Sequence, residues 1–170
     1  MSKSAESGFT LIELVMVLVV IGILSVTAAG MFASRGDFAS TLVKDQLLDK
    51  LRLTQQISLA RQTGNLSLVI DESAGQWRLR VLDSAAADSI LLSQTMDQNG
   101  TSIHTSNSNF SASCASLPSV AGASPLTLNF DRRGNLNPAS ANRRICVTGG
   151  NTYELCVSSA GYAYEGSCVP

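Results

Sequence analysis

From Phe9 to Phe32 the chain is apolar in every direction, and one charge, Glu13, interrupts the run. About 20 apolar residues suffice to cross a bilayer as a helix, so the run predicts a membrane-length helix. The pattern then changes. Between Asp37 and Arg61, Phe38, Leu42, Val43, Leu47, Leu51, Ile57 and Ala60 recur at spacings of mostly three and four. Thr54 fills the one gap, and Lys44, Asp45, Asp49, Lys50 and Arg52 take other positions. That periodicity predicts an amphipathic helix, with Gly64 as its C-terminal cap. Unless Arg35–Gly36 breaks it, one helix runs from Phe9 to about Gln62, roughly 80 Å long at 1.5 Å per residue. Its second half is one-sided, so the rest of the chain must supply a cover.

That remainder reads as strands. Leu66–Ile70 is a short apolar strand, and Glu72–Gly75 (ESAG) is a turn. QWRLRVLD then alternates, with Trp77, Leu79 and Val81 on one face and Arg78 and Arg80 on the other. The first face is expected to cover the amphipathic helix and the two arginines to face solvent. Ile90–Met96 is another strand candidate. Asp97–Val120 is rich in Ser, Asn and Ala without a period, and reads as a long irregular loop tied down by Cys114. LTLNF at 126–130 predicts a strand and DRRGN a turn. RICVT and YELCV around Gly149–Thr152 predict a hairpin, and GYAYEGSCV a last strand and tail. No internal repeat is present. One helix followed by antiparallel strands is an α+β order.

Composition adds little to this picture at first. The 170 residues suit one domain and an appendage, and a net charge of −1 steers the chain toward neither nucleic acid nor anionic lipid. The four cysteines, Cys114, Cys146, Cys156 and Cys168, change it more. All lie in the last third, no CxxC pair occurs, and His104 is the one histidine, so a zinc site has little material. Two disulfides in an oxidising compartment are expected. Three connectivities are possible.

Glu13 decides how the N-terminal run is read. A secretory signal has an apolar region of about 7–15 residues behind a basic leader. Here the run is longer, and the leader MSKSAESG holds one Lys and one Glu. A plain membrane anchor would not carry a carboxylate, which is costly in hydrocarbon and marks function. Gly8-Phe9-Thr10-Leu11-Ile12-Glu13-Leu14 resembles the class III signal of type IV pilins and type II secretion pseudopilins. The resemblance implies that a prepilin peptidase cuts between Gly8 and Phe9 and methylates the new N-terminus. Glu13, the fifth residue after the cut, would then face the Phe9 amine of a neighbouring subunit. A buried charge is retained when it is paired, and losing one partner costs several kcal/mol. Many major pilins carry a helix-kinking proline in the apolar half. This chain has Gly22 and Gly30 instead, and each weakens a helix by about 1 kcal/mol relative to Ala.

The head also resembles minor pilins and pseudopilins of the H/FimT class, through F-D-x-x-G at Phe130, Asp131 and Gly134. Residues 30–61 resemble those of minor pilins from mannose-sensitive haemagglutinin-type pili. The implied organisation is a leader over 1–8, a transmembrane and filament-core helix over 9–35, its amphipathic half over 36–62 and a β-rich periplasmic head over 63–170. The implied location is the bacterial inner membrane, single-pass, and afterwards a pilus or pseudopilus. The implied partners are the prepilin peptidase, other major and minor pilins and the inner-membrane assembly platform, with a role in initiation or at the tip.

No catalytic constellation accompanies this, so no enzyme, cofactor or metal is expected. His104 lies in SIHTSNSN, which reads as a solvated loop, and it lacks the nucleophile and acid of a triad. The alternative to an assembly role is binding of DNA or a surface ligand. The related DNA-binding pattern G-R-x-R is replaced by Gly161-Tyr162-Ala163-Tyr164. Arg132, Arg133, Arg143 and Arg144 form two basic pairs that would contact phosphates if they met in space. Tyr162 and Tyr164 suit stacking on bases or sugars, or packing on the head.

Overall fold

The computed structural model describes residues 10–32, 35–61, 65–86, 89–108, 110–138 and 142–169. The chain divides into two compact units, Met1–Arg35 and Gly36–Pro170.

The first unit holds helix α1, Leu11–Phe32. Thr10 begins it: its Oγ1 accepts the Glu13 backbone N–H at 3.4 Å. Thr followed three residues later by Glu is the pairing that opens many helices, because both side chains serve backbone N–H groups that lack a partner in the first turn. Side chains are described from Thr10 to Ser25, and all of them are exposed, from Leu11 through Leu24. Those residues of α1 cover about 22 Å. Among the described residues no helix is long and apolar enough to cross a membrane. The expected Gly64 cap and the join across 33–34 lie outside the described residues.

In the second unit, α2 (Arg35–Ala60) packs on two antiparallel four-stranded sheets. The strands are β1 (Leu66–Ser73), β2 (Gln76–Asp83), β3 (Ser89–Asp97), β4 (Ser102–Ser106), β5 (Leu126–Phe130), β6 (Arg143–Thr148), β7 (Thr152–Val157) and β8 (Ala163–Glu165). One sheet runs β3-β2-β1-β5 and the other β4-β6-β7-β8. Val43, Leu47 and Leu51 of α2 share one core with Leu68, Trp77, Leu79, Val81 and Phe130 of the first sheet. Ile103, Ile145, Val147 and Leu155 of the second sheet complete it. This is the expected α+β arrangement, and the alternating face of β2 covers the helix.

Several details differ from the sequence expectation. The buried face of α2 is rotated. Phe38 is 72% exposed and Leu42 and Ala60 are also exposed, whereas Ala39, Leu48 and Ser58 are buried; Thr54 is buried in the gap of the expected face. Polar residues are tolerated there because the Thr54 hydroxyl donates to Lys50 O and the Ser58 hydroxyl to Gln55 O, both at 2.7 Å. Lys44 is buried too. Its ammonium lies 2.9 Å from both Asp45 and Glu165 and sits over the Tyr153 ring. The acids Asp45 and Glu165 hold its pKa above the ordinary lysine value despite its burial.

β1 extends to Ser73, so the turn is confined to Ala74–Gly75. Arg78 and Arg80 do not simply face water. Both ion-pair with Asp71, a buried carboxylate on the neighbouring strand, whose register partner is Arg78. The loop expected over 97–120 contains β4. Its one apolar side chain, Ile103, is buried while its neighbours are half-buried, so no alternation appears in the sequence. Pairing with β6 makes the strand. His104 therefore lies on β4, with Nδ1 3.0 Å from Leu117 O, and not in a solvated loop.

A three-way junction ties α2 to the C-terminal turns. The Gln55 amide donates to Gly134 O at 3.4 Å and Ala160 O at 3.0 Å. Asp131 Oδ1 accepts the N–H groups of Arg133 and Asn135, which closes the turn carrying Gly134. Trp77 is buried, and its indole N–H donates to Thr101 Oγ1 at 3.0 Å.

Candidate functional site

The sequence places two kinds of candidate residue in this chain: an assembly and processing segment at the N-terminus and basic or aromatic groups on the head. Gly8 and Phe9 lie outside the described residues. Glu13 is exposed in the first turn of α1. A carboxylate there is favoured by the unpaired N–H groups and partial positive charge of a helix start, an effect of about 0.3–1 kcal/mol. The same position sets Glu13 where a cation brought to the helix N-terminus would meet it. The surrounding side chains are all large and apolar, namely Leu11, Ile12, Leu14, Val15 and Met16, and all are exposed in this unit. Such a surface requires lipid or protein around it.

On the head, the structure separates the four arginines that the sequence set together. Arg132 and Arg133 are exposed on the Asp131–Gly134 turn and border an open hollow with Leu59 and Asn65. Arg144 is buried. Its guanidinium pairs with Glu154 of β7 and donates to Ala112 O at 2.7 Å. The Arg144 hydrogen bond holds the Glu154 carboxyl below its ordinary value, burial opposes that, and the Ser167 hydroxyl assists it. Arg144 is therefore a buried cation whose charge is already met by Glu154. Arg143, its neighbour on the other face of β6, lines a different, smaller cleft. Tyr162 is 58% exposed and stacks on Tyr164, with ring centroids 6.2 Å apart.

The cysteines pair as Cys114–Cys146 and Cys156–Cys168. The first bridge fastens the segment after β4 to β6, beside the Arg144–Glu154 pair: Arg144 Nη2 lies 3.7 Å from Cys114 Sγ. Cys114, Cys146 and Glu154 cluster closely enough to suggest a metal site. A thiolate is the metal ligand, however, and both sulfurs are bound to each other, so the cluster lacks its donors. The buried Arg144–Glu154 pair was not legible from the sequence. Its one signal is that Arg144 and Glu154 each stand two residues before a cysteine of the predicted hairpin, and the register sets Arg144 opposite Cys156 and Glu154 opposite Cys146.

Comparison with known proteins bears on the N-terminal segment. The family model described as the prokaryotic N-terminal methylation motif matches residues 3–29. A type IV pilin-like prepilin signal therefore stands at the start of this chain. Neither the curated proteins nor the solved structures give a match. The matched span holds Gly8, Phe9 and Glu13, and the head behind it, a helix on antiparallel sheets with two disulfides, is consistent with a pilin fold.

Proposed function

We propose that this chain is a minor pilin or pseudopilin of the H/FimT class, serving a type IV pilus or a type II secretion pseudopilus. The observation that carries the reading is the methylation-motif match over 3–29, joined to a helix start at which Glu13 is exposed. The prepilin enters the inner membrane through residues 9–35 with its head in the periplasm. Prepilin peptidase removes 1–8 and methylates Phe9. The apolar helix leaves lipid for a core built with other major and minor pilins, on the inner-membrane assembly platform. Glu13 meets the Phe9 amine of a neighbour and offsets the cost of burying both charges. The subunit acts in initiation or at the tip. Two disulfides suit a head that works outside the cytoplasm.

The test is the N-terminal mass of the chain, from cells making the wild type and Glu13→Ala, measured in membrane and sheared-filament fractions. Both are expected to begin at N-methyl-Phe9, with only the wild type reaching filaments. A chain still beginning at Met1 with the peptidase active, or incorporation of the variant at wild-type levels, would overturn the reading.

A further inference from the structure

At the start of β6, Arg143 lines a cleft of about 60 Å3 at the meeting of the two sheets. The buried Leu128 and Leu136 and the exposed Asn107, Asn129 and Asn137 line it with Arg143. Admitting one water takes about 10–15 Å3 on this measure, so the cleft holds about four water positions, the space of one carboxylate group. Among the described residues the ion pairs engage Lys44, Arg61, Arg78, Arg80 and Arg144, and no carboxylate meets Arg143. Burial, with no acid to offset it, lowers its pKa from the ordinary arginine value. A half-buried guanidinium is thus held beside amides and two buried leucines, with no counter-charge among the described residues.

We propose that this cleft binds the carboxylate of an acidic sugar. The planar fork of a guanidinium matches a carboxylate through two parallel hydrogen bonds. The Asn107 and Asn137 amides can each donate and accept, which suits ring hydroxyls, while the Asn129 carbonyl already accepts the Ser67 hydroxyl at 2.7 Å. A nucleic-acid strand fits less well, because its backbone needs several cations in series. Here Arg132 and Arg133 border a separate hollow and Arg144 is occupied by Glu154. The binding is a property of the head and does not depend on filament assembly.

The test uses the full-length chain in detergent micelles, titrated with glucuronate and followed by saturation-transfer NMR. Glucose, inorganic phosphate and a single-stranded oligonucleotide are run beside it. β4 pairs Ser106 with Arg144, so the next position, Asn107, stands opposite Arg143. Asn107→Asp changes no volume at an exposed site and supplies Arg143 with an internal carboxylate. The expected result is saturable millimolar binding of glucuronate and none of glucose. Asn107→Asp and Arg143→Gln should each weaken it at least tenfold, and Arg132→Gln should leave it unchanged. The proposal fails if glucuronate does not bind, if glucose binds equally, or if Asn107→Asp, folded by its thermal transition, binds as the wild type. It fails also if phosphate or the oligonucleotide binds more tightly than glucuronate.

Discussion

Gly161 is the position at which a single methyl group should do the most damage to the head. Its φ is +79°, and a Cβ there would sit 1.8 Å from Gly134 O. Ordinary contact begins at 3.4 Å, so the two turns would have to part by about 1.6 Å. They are held together by the Gln55 amide, which bonds Gly134 O and Ala160 O, and the Gly161 N–H bonds Ser158 O at 2.7 Å. Losing two or three such bonds costs about 0.5–1.5 kcal/mol each. The left-handed backbone adds about 1–2 kcal/mol for any residue with a Cβ. Gly75 supplies an internal control. Its φ is +74°, but a Cβ there meets nothing within 4 Å, so Gly75→Ala carries the backbone term alone. The expected losses are about 1–2 kcal/mol for Gly75→Ala and about 3–5 kcal/mol for Gly161→Ala. Urea unfolding of the full chain in mild detergent measures both, with Trp77, the one tryptophan and a buried one, as fluorescent reporter. Equal losses in the two variants would refute the junction as a tight, bonded contact.

Acid stability follows from the carboxylates. Burial raises the Asp71 pKa, and the bonds and charges of Arg78 and Arg80 outweigh it, so the carboxyl titrates below its ordinary 3.8; Glu154 likewise lies below 4.5. Both contribute stability that is present above the unfolded carboxylate range and lost as pH falls through the lower folded values. Urea midpoints should hold steady from pH 7 to 5 and fall below about pH 4. Asp71→Asn should lower the midpoint at pH 7 and flatten that acid slope, and an unchanged slope would exclude Asp71 as a contributor. Removing the Cys114–Cys146 bridge, which spans 32 residues, should cost about 3.7 kcal/mol, against about 2.8 kcal/mol for Cys156–Cys168 across 12, by loop entropy. The order of the two double-serine variants in urea decides it. Glu154→Gln removes the carboxylate charge that faces the buried Arg144 and should cost about 3 kcal/mol at pH 7, read in the same assay.

Much of this protein is set by local pattern, and local pattern is what a sequence displays. The apolar run with Glu13 at its head needs no tertiary partner to be read, because helix length and the cost of a carboxylate in lipid are properties of the segment. The β2 alternation, the β6–β7 hairpin and the DRRGN turn were legible for the same reason. Their spacing and turn residues act over a few positions. What the fold decided depends on residues far apart. β4 becomes a strand through β6, since Ile103 alone carries no period. The face of α2 turned inward is chosen by the sheets, which bury Ser58 and leave Phe38 outside. Asp71 gathers two arginines and Glu154 takes Arg144, because strand register brings opposite charges together across distances that sequence spacing does not measure. The separation of Arg143 from Arg144 is the plainest case: adjacent residues on a strand point to opposite faces, so one becomes a core cation and the other the wall of a cleft.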